Sequence, residues 1–323
     1  MVLLVSAAGE SVAIVVVTYN SAALLADLIA SLPAGLGEVP YHLIFADNAS
    51  ADDSVAVARR LAPAATVLEV GRNAGYAAGI NAGLKAAGIY AAAGGGPEPT
   101  AILILNPDVR LAPGCVPALI AALRQPHTGL AVPRLVDRHG VRIDSQRREP
   151  ALFRTLADAL LGARRAGRLP GVGEVVTGED HYRRETFTDW AEGSTLLVSA
   201  ECWRACGPWD ESYFLYSEET DFALRARDAG FGTRYTPNAH AVHLEGESGQ
   251  SPALWALLNL NRVRLYRKRH GAVRTRFYWA VLVLREASRA LLGKATSRTA
   301  LRALLSPRIM RAPAGPDLVS RLG

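Results

Sequence analysis

The sequence is poor in cysteine. Only three of its 323 residues are cysteines, Cys115, Cys202 and Cys206. This small, odd number does not support a disulfide framework, and the apolar start of the chain lacks the basic flank and the length of a secretory signal peptide. We therefore expect a cytoplasmic protein. Cys202 and Cys206 lie four residues apart, but no second pair of cysteines or histidines completes a metal site, so we expect them to pack.

Two common nucleotide-binding motifs are missing. A dinucleotide-binding chain carries Gly-x-Gly-x-x-Gly after its first strand, whereas Thr18-Tyr19-Asn20-Ser21 stands here. This disfavours a hydride-transferring dehydrogenase. The Gly/Pro-rich segment 91–100 lacks the Gly-Lys-Ser/Thr ending of a phosphate-binding P-loop. The chain also shows no internal repeat.

Charge is unevenly distributed along the chain. Residues 262–311 contain 14 Lys or Arg and one acid, a local balance of +13, and the remaining 22 basic and 29 acidic residues give −7, which accounts for the net +6. The apolar stretch 277–284 is interrupted by Arg285 and falls short of the roughly 20 residues that span a bilayer. A basic amphipathic helix with Trp and Tyr is typical of contact with an anionic membrane surface. The alternative is a helix packed on the body with a solvated basic face.

Nucleic-acid binding by this basic region is disfavoured, because few aromatic residues are interleaved with its arginines. We expect peripheral contact at the inner face of the cell membrane instead. A homodimer is left open.

The remaining sequence predicts an α/β fold. Half of the residues are hydrophobic and 20% are charged, as in a packed globular protein. Four apolar strand patterns alternate with helical spacing; they cover residues 12–17, 41–46, 65–70 and 101–106. This alternation predicts right-handed crossovers and a mostly parallel central sheet flanked by helices. Residues 137–188 do not show this alternation of strands and helices. They are interpreted either as a mobile lid or as a surface excursion.

Polar side chains follow three of the predicted strands. They are Thr18-Tyr19-Asn20, Asp47-Asn48 and Asn106-Pro107-Asp108. In an open α/β sheet, ligands collect at the carboxyl ends of the strands. Pro107 ends the ladder because it lacks an N–H, and Asp108 is then presented where a metal or a phosphate could meet it. These strand ends predict one shared site.

Two later segments add candidate chemistry. Glu218, Glu219 and Asp221 follow two aromatic residues, and on a helix Glu219 points about 100° away from its neighbour, so one acid can face a pocket. The alternative is an acidic helix start that only complements the helix dipole, with an acid bound to Arg225. His243 ends a short strand, and with Asp108 it would suit a divalent metal, although most lone histidines are not ligands.

Glycines mark a further segment, where Gly75 and Gly79 open a predicted helix after Asn73. They allow close backbone approach to an anion at a helix start. The alternative is close packing between neighbouring elements.

Taken in order, these motifs resemble the inverting nucleotide-sugar glycosyltransferases of family 2, in their rhamnosyltransferase-like branch, over roughly residues 12–250. The matching residues are Thr18-Tyr19-Asn20, Asp47-Asn48-Ala49-Ser50, Asn73-Ala74-Gly75-Tyr76, Asn106-Pro107-Asp108, Gly193-Ser194, Phe214 to Asp221, and His243. The resemblance implies a GT-A fold. It implies a catalytic domain of residues 1–250, with a nucleotide-binding half of about 10–125 and an acceptor-binding half of about 126–250. A basic amphipathic helical region, 251–323, follows.

The resemblance also implies roles for individual residues. Contact with the nucleotide-sugar is implied for Thr18, Tyr19, Asn20, Asp47, Asn73, Gly75, Asn106 and Asp108. Contact with the acceptor is implied for Trp190, Gly193, Ser194 and Glu218. Asp108 and His243 would hold Mg²⁺ or Mn²⁺ on the diphosphate.

The implied reaction is a single displacement in which a carboxylate deprotonates the acceptor hydroxyl. Glu219 is the predicted base and Asp221 the alternative, because the family usually has Glu-Asp where this chain has Glu218-Glu219. Asn106 also stands where an acid is usual. The branch suggests dTDP-rhamnose as donor, with UDP-linked galactofuranose, glucose or N-acetylglucosamine left open, and a glycan, lipid-linked or small-molecule acceptor. The competing hypothesis is a non-catalytic nucleotide-sugar-binding module at the membrane.

Overall fold

The computed structural model describes residues 9–89, 98–244 and 251–323. The apolar start of the chain, most of the Gly/Pro-rich segment 91–100 and the loop that follows Leu244 lie outside the described residues.

The first half of the chain alternates strands and helices as predicted. The strands are β1 (Val12–Thr18), β2 (Tyr41–Asp47), β3 (Thr66–Glu69) and β4 (Ala101–Leu105). The helices between them are α1 (Ala22–Leu36), α2 (Ser54–Leu61) and α3 (Tyr76–Ala86). All four strands are parallel, in the order β3-β2-β1-β4. Their carboxyl ends therefore lie along one edge.

The second half of the chain completes the sheet. Its strands are β5 (Val109–Leu111), β6 (Thr128–Val136), β7 (Gln146–Arg147), β8 (Thr186–Thr188), β9 (Trp190–Ala191), β10 (Thr195–Ser199) and β11 (Gly232–His243). Its helices are α4 (Cys115–Leu123), α5 (Leu152–Leu161), α6 (Ala163–Arg168), α7 (Asp180–Arg183), α8 (Ala200–Cys206) and α9 (Glu218–Asp228).

The main sheet has nine strands in the order β3-β2-β1-β4-β10-β6-β11-β5, with β8 beside β11. The α/β class is confirmed, but the sheet is mixed rather than mostly parallel. β10 runs antiparallel to both of its neighbours, and β5 and β8 run antiparallel to β11, so four of the eight strand pairings are parallel. The reason is that the connection into β10 does not return the chain to the starting edge of the sheet, as a crossover helix would.

Helices cover both faces of the central strands, which explains their unbroken apolar sequence. Along β1, the alternate residues Ile14 and Val16 pack with Leu25 and Leu28 of α1. The opposite residues of β1 pack in a second cluster that includes Ile80 of α3. Cys202 is buried in this second cluster and Cys206 packs against it, which agrees with the prediction that they pack.

Residues 137–188 are more ordered than the sequence pattern indicates. Residues 152–161 form helix α5, and β7 pairs with β9 in a separate two-stranded sheet. This small sheet leads directly into the segment before β10, so it borders the carboxyl end of β4.

Five helices follow residue 251. They are α10 (Pro252–Arg269), α11 (Ala272–Leu291), α12 (Ala295–Leu305), α13 (Pro307–Arg311) and α14 (Pro316–Leu322). They pack around a third apolar cluster, which Phe214 joins from the preceding body. No helix within the described ranges is both long and apolar enough to cross a bilayer.

Candidate active site

The ends of β1 and β2 form a hydrogen-bonded framework around Asp47. Thr18 Oγ1 donates to Asp47 Oδ1 at 2.8 Å, and the hydroxyl and backbone N–H of Ser50 donate to the two carboxylate oxygens at 2.6 and 2.9 Å. Asn20 accepts from the N–H of Ala51 at 2.8 Å with a left-handed backbone, φ 51°. Tyr19 is 53% exposed. Thr18, Asn20 and Asp47 thus stabilise the loops at the carboxyl ends of β1 and β2. The exposed Tyr19 ring is accessible to a ligand.

The glycines of α3 serve close packing. A Cβ on Gly79 would lie 2.8 Å from Val17, and one on Gly75 would lie 2.3 Å from the carbonyl oxygen of Phe214. Gly75 also has φ 94°. The packing alternative therefore accounts for Gly79, and Gly75 permits contact between α3 and the segment before α9. Asn73 accepts a long bond, 3.3 Å, from the Gly75 N–H and so shapes the turn before α3.

Asp108 and His243 meet, although they lie far apart in sequence. Asp108 Oδ2 is 3.3 Å from His243 Nε2, because β5 and β11 pair at Val109 and His243. On the other side of the ring, Nδ1 is 2.9 Å from Glu192 Oε1. Burial disfavours the charged imidazolium, but the two carboxylates outweigh it and raise the pKa of His243 to about 10. His243 is therefore the centre of a three-residue charge cluster.

Glu192 is the member of this cluster that the sequence analysis missed. Burial would raise its pKa, but His243 lowers it, and His243 lowers the pKa of Asp108 in the same way. Among the described residues, no group of three or more His, Cys, Asp or Glu is arranged to hold a metal ion. The arrangement thus offers two facing ligands, Asp108 and His243, since Glu192 lies at the other ring nitrogen.

Phe214, Tyr216 and Ser217 form an unusual turn before α9. Their φ angles are 65°, 70° and 75°, in the left-handed region that non-glycine residues rarely adopt. The turn places two adjacent acids at the start of α9. Burial raises the pKa of Glu218 well above its usual range. Burial, together with the charge of Glu192, raises the pKa of Glu219 to about 7.

Asp221, the alternative base, is occupied by cations. Its carboxylate accepts from Arg225 Nε at 2.8 Å and from Lys268 Nζ at 2.7 Å, and its side chain is 3% exposed. The predicted ion pair with Arg225 is therefore formed by Asp221. The three acids consequently have different surroundings: Glu218 is enclosed, Asp221 is paired, and Glu219 is half-buried.

Tyr76 connects the acidic segment to the end of β4. Its hydroxyl donates to Asn106 Oδ1 at 2.7 Å, and its backbone N–H donates to the Phe214 carbonyl at 2.7 Å. Burial, and then the nearby acids with Glu218 first, raise the pKa of the phenol well above its usual value. Asn106, where the family usually has an acid, therefore acts as a hydrogen-bond acceptor.

The predicted acceptor residues lie next to this centre. A Cβ on Gly193 would be 3.1 Å from Glu219 Cβ, so only glycine lets the two segments approach this closely. Ser194 is buried, and its carbonyl accepts from the N–H of Asn106 at 2.9 Å. The Trp190 indole N–H donates to the Arg148 carbonyl at 3.0 Å, and its ring lies 5.8 Å from the Arg147 guanidinium.

Comparison with known proteins decides the family. Residues 13–172 match the sequence profile described as glycosyl transferase family 2. The chain is 32% identical over 249 residues to a protein of Mycobacterium tuberculosis named N-acetylglucosaminyl-diphospho-decaprenol L-rhamnosyltransferase, covering 74% of this chain and 78% of the relative. The chain belongs to glycosyl transferase family 2. It is therefore a glycosyltransferase, and the predicted family is confirmed.

A more distant relative agrees with this assignment, and a solved structure shows the same fold. A low-salt glycan biosynthesis hexosyltransferase of Haloferax volcanii is 27% identical over 177 residues, 54% of this chain and 50% of the relative. A mannosyltransferase of Pyrobaculum calidifontis, solved with GDP-Man and Mn²⁺, superimposes with a TM-score of 0.55 at 15% identity over 96% of this chain and 78% of that chain. This likeness confirms the GT-A fold.

A Gly193→Ala substitution tests the close approach of Gly193 to Glu219. The added methyl group would push the Glu219 side chain by a few tenths of an ångström, since the Cβ position is 3.1 Å away. We expect kcat to fall about tenfold or more if Glu219 is the base as predicted, because small displacements of a catalytic group are costly, while donor binding stays unchanged. Steady-state kinetics and donor titration by calorimetry measure the two effects. A variant with wild-type kcat would show that this contact does not set the geometry.

Proposed function

We propose that the enzyme transfers a sugar from a nucleotide-sugar to an acceptor hydroxyl by single displacement with inversion. The acceptor oxygen forms the new bond to the anomeric carbon as the bond to the nucleoside diphosphate breaks, and Glu219 takes the hydroxyl proton. The observation that supports this most is the pKa of Glu219, raised to about 7 by burial beside Glu192 and Gly193. A base of that pKa is about half ionised at neutral pH, and its carboxylate is a stronger proton acceptor than an ordinary glutamate.

The neighbouring acids are less suited to the role. Burial raises the pKa of Glu218 well above its usual range, which favours the neutral acid over a carboxylate that could accept the proton. The carboxylate of Asp221 is already paired with Arg225 and Lys268. We therefore assign Glu219 as the base and Glu218 as an acceptor contact.

We infer that a divalent metal, Mg²⁺ or Mn²⁺, binds between Asp108 and His243. The carboxylate and the imidazole face each other across 3.3 Å and are both partly accessible, with 15% and 10% of their side chains exposed. Oxygen atoms of the donor diphosphate and water would complete the coordination, as is usual for Mg²⁺ in phosphate-transfer sites. A bound ion would neutralise charge that develops on the leaving diphosphate. His243 must release its proton first.

The donor edge is proposed to consist of Thr18, Tyr19, Asn20 and Asp47, with Asn73, Gly75 and Asn106 beside the diphosphate. The relative of Mycobacterium tuberculosis is named for transfer of L-rhamnose to N-acetylglucosaminyl-diphospho-decaprenol. On this basis we propose dTDP-rhamnose as the donor and a lipid-linked diphosphate sugar as the acceptor.

A lipid-linked acceptor requires access to a bilayer, and two helices carry exposed apolar faces. On α11, Phe277, Leu284 and Leu291 are 57%, 67% and 89% exposed. Helix α5, which packs on α11, exposes Phe153 and Leu160 at 57% and 76%. Exposed cations flank these faces, including Arg164, Arg165 and Arg168 after α5 and Arg274 and Arg276 on α11. We propose residues 1–250 as the catalytic domain and residues 251–323 as a region that contacts an anionic membrane from the cytoplasmic side.

Replacement of the proposed base gives the direct test of the reaction. Glu219→Gln should reduce kcat by about 10²–10⁴-fold, because the amide cannot accept the proton, and should leave donor binding intact. In the wild type, kcat/KM should rise with pH up to about 7, since Glu219 must be deprotonated, and this acid limb should disappear in the variant.

Asp221→Asn is the matched control for the base assignment. It should lower stability by removing a buried charge from Arg225 and Lys268, with a smaller effect on kcat per folded molecule and an unchanged acid limb. If Asp221→Asn reduced kcat more than Glu219→Gln did, and abolished the acid limb of the pH profile, the base would be Asp221 instead. Donor binding without turnover across a broad acceptor panel would favour the non-catalytic module.

The membrane proposal is tested by flotation with vesicles that contain anionic lipid. Phe277→Ser combined with Leu284→Ser should lower the vesicle-bound fraction at least about tenfold, since two exposed apolar side chains are lost. Val141→Ser, which changes an equally exposed residue of the body (61%), is the control and should float like the wild type. Equal flotation of all three proteins, or none by the wild type, would contradict the proposal.

A further inference from the structure

Asn261, in the middle of α10, points its side chain at the backbone of the turn before α9. It is fully buried, at 0% exposure. Its Nδ2 donates to the carbonyl oxygens of Tyr213, Leu215 and Tyr216 at 2.8, 2.9 and 3.1 Å. One amide group from the C-terminal helices thus binds three carbonyls within four consecutive residues.

The bound segment is the one with the unusual backbone. Phe214, Tyr216 and Ser217 all have φ between 65° and 75°. Aromatic residues rarely adopt this conformation, and it persists only where the surroundings hold it in place. The carbonyls that Asn261 binds lie within the same segment, and one of them belongs to Tyr216 itself, so its amide group stabilises the turn where local preference opposes it.

Segment 213–217 also fixes the position of the first residues of α9. The Ser217 carbonyl accepts from the Asp221 N–H at 2.8 Å, which starts the helix directly at Glu218 and Glu219. On its other side, the Phe214 carbonyl accepts from the Tyr76 N–H. A change in the turn would therefore move Glu219 relative to Gly193 and Tyr76.

Asn261 is itself held in one orientation. Its Oδ1 accepts from Arg264 Nη1 at 2.8 Å, and Arg264 Nη2 donates to the Ala312 carbonyl at 2.5 Å. The acceptor end of the amide is thus occupied by a cation, which directs the donor end toward the turn. The segment after α13 is tied into the same chain of hydrogen bonds.

We propose that Asn261 is a positioning residue, through which the C-terminal helices hold the turn at 213–217 and thereby aim Glu219 at the acceptor. This proposal rests on the proposed role of Glu219 as the base. It gives residues 251–323 a part in the chemistry that is separate from any contact with a membrane.

Asn259 provides a matched comparison within the same helix. It is also an asparagine at 0% exposure, but its Nδ2 donates to the Trp255 carbonyl within α10 and its Oδ1 accepts from Arg285 of α11. It makes no hydrogen bond to the turn among the described residues. Loss of Asn259 should thus disturb the helical region without disturbing Glu219.

The test compares Asn261→Asp with Asn259→Ala. The aspartate keeps the shape of the side chain but presents oxygens to three carbonyls. We expect kcat per folded molecule to fall about 10- to 100-fold in Asn261→Asp with a smaller change in the KM for the donor, since most of the proposed donor residues lie outside the turn that Asn261 holds. Asn259→Ala should lower the melting temperature and leave kcat per folded molecule close to that of the wild type. If Asn261→Asp does not fold, Asn261→Ala removes the donor without adding a charge and answers the same question.

Hydrogen exchange of residues 213–219 supplies a second readout that does not depend on activity. It should speed up in the Asn261 variants and not in Asn259→Ala. Equal effects of the two sites on kcat and on exchange would overturn the proposal. If Glu219→Gln proves fully active, the base assignment fails, and the exchange of residues 213–219 still decides whether Asn261 holds the turn.

Discussion

The ion pairs around His243 connect the parts of the chain from which the site is built. Asp108 follows β4, Glu192 follows β9, and His243 ends β11. None of the three segments is close to another in sequence, and the two contacts of one imidazole ring, at 3.3 and 2.9 Å, join them at the carboxyl edge of the sheet. Because the ring lies between two carboxylates, it stays protonated until a competing cation replaces the proton. The charge cluster therefore joins three distant segments of the chain and is also the proposed metal site.

The acids of α9 show how local surroundings assign different roles to the same chemical group. Burial raises the pKa of Glu218 well above its usual range, Asp221 is paired with two cations, and Glu219 has a pKa of about 7. Separation of neighbouring pKa values is what acid–base chemistry at neutral pH requires. The close approach of this acid to Gly193 depends on the absence of a Cβ, which would lie 3.1 Å from Glu219 Cβ.

Much of this arrangement could be predicted from sequence, since the carboxyl ends of buried parallel strands must lie on one edge. That rule predicts that Thr18, Asp47 and Asp108 lie along the same edge of the sheet. Glu192, Tyr76 and Asn261 could not be found in this way, because their roles depend on the return path of the chain through β9, on a contact across α3 and on the packing of α10. The antiparallel direction of β10 also could not be predicted from the sequence pattern. Helices α5, α6 and α7 precede β10, but they do not return the chain to the edge from which a parallel strand would start.

The most direct test of the account is whether a metal ion links the protein to the diphosphate of its donor. Calorimetric titration with a nucleoside diphosphate, with and without Mn²⁺, measures this in the wild type and in Asp108→Asn. Because oxygen ligands from the protein and the diphosphate would share the ion, we predict that Mn²⁺ tightens nucleotide binding by about tenfold or more in the wild type and has little effect in the variant. Binding that is indifferent to Mn²⁺ in the wild type, or equally strengthened by it in Asp108→Asn, would contradict the proposed site.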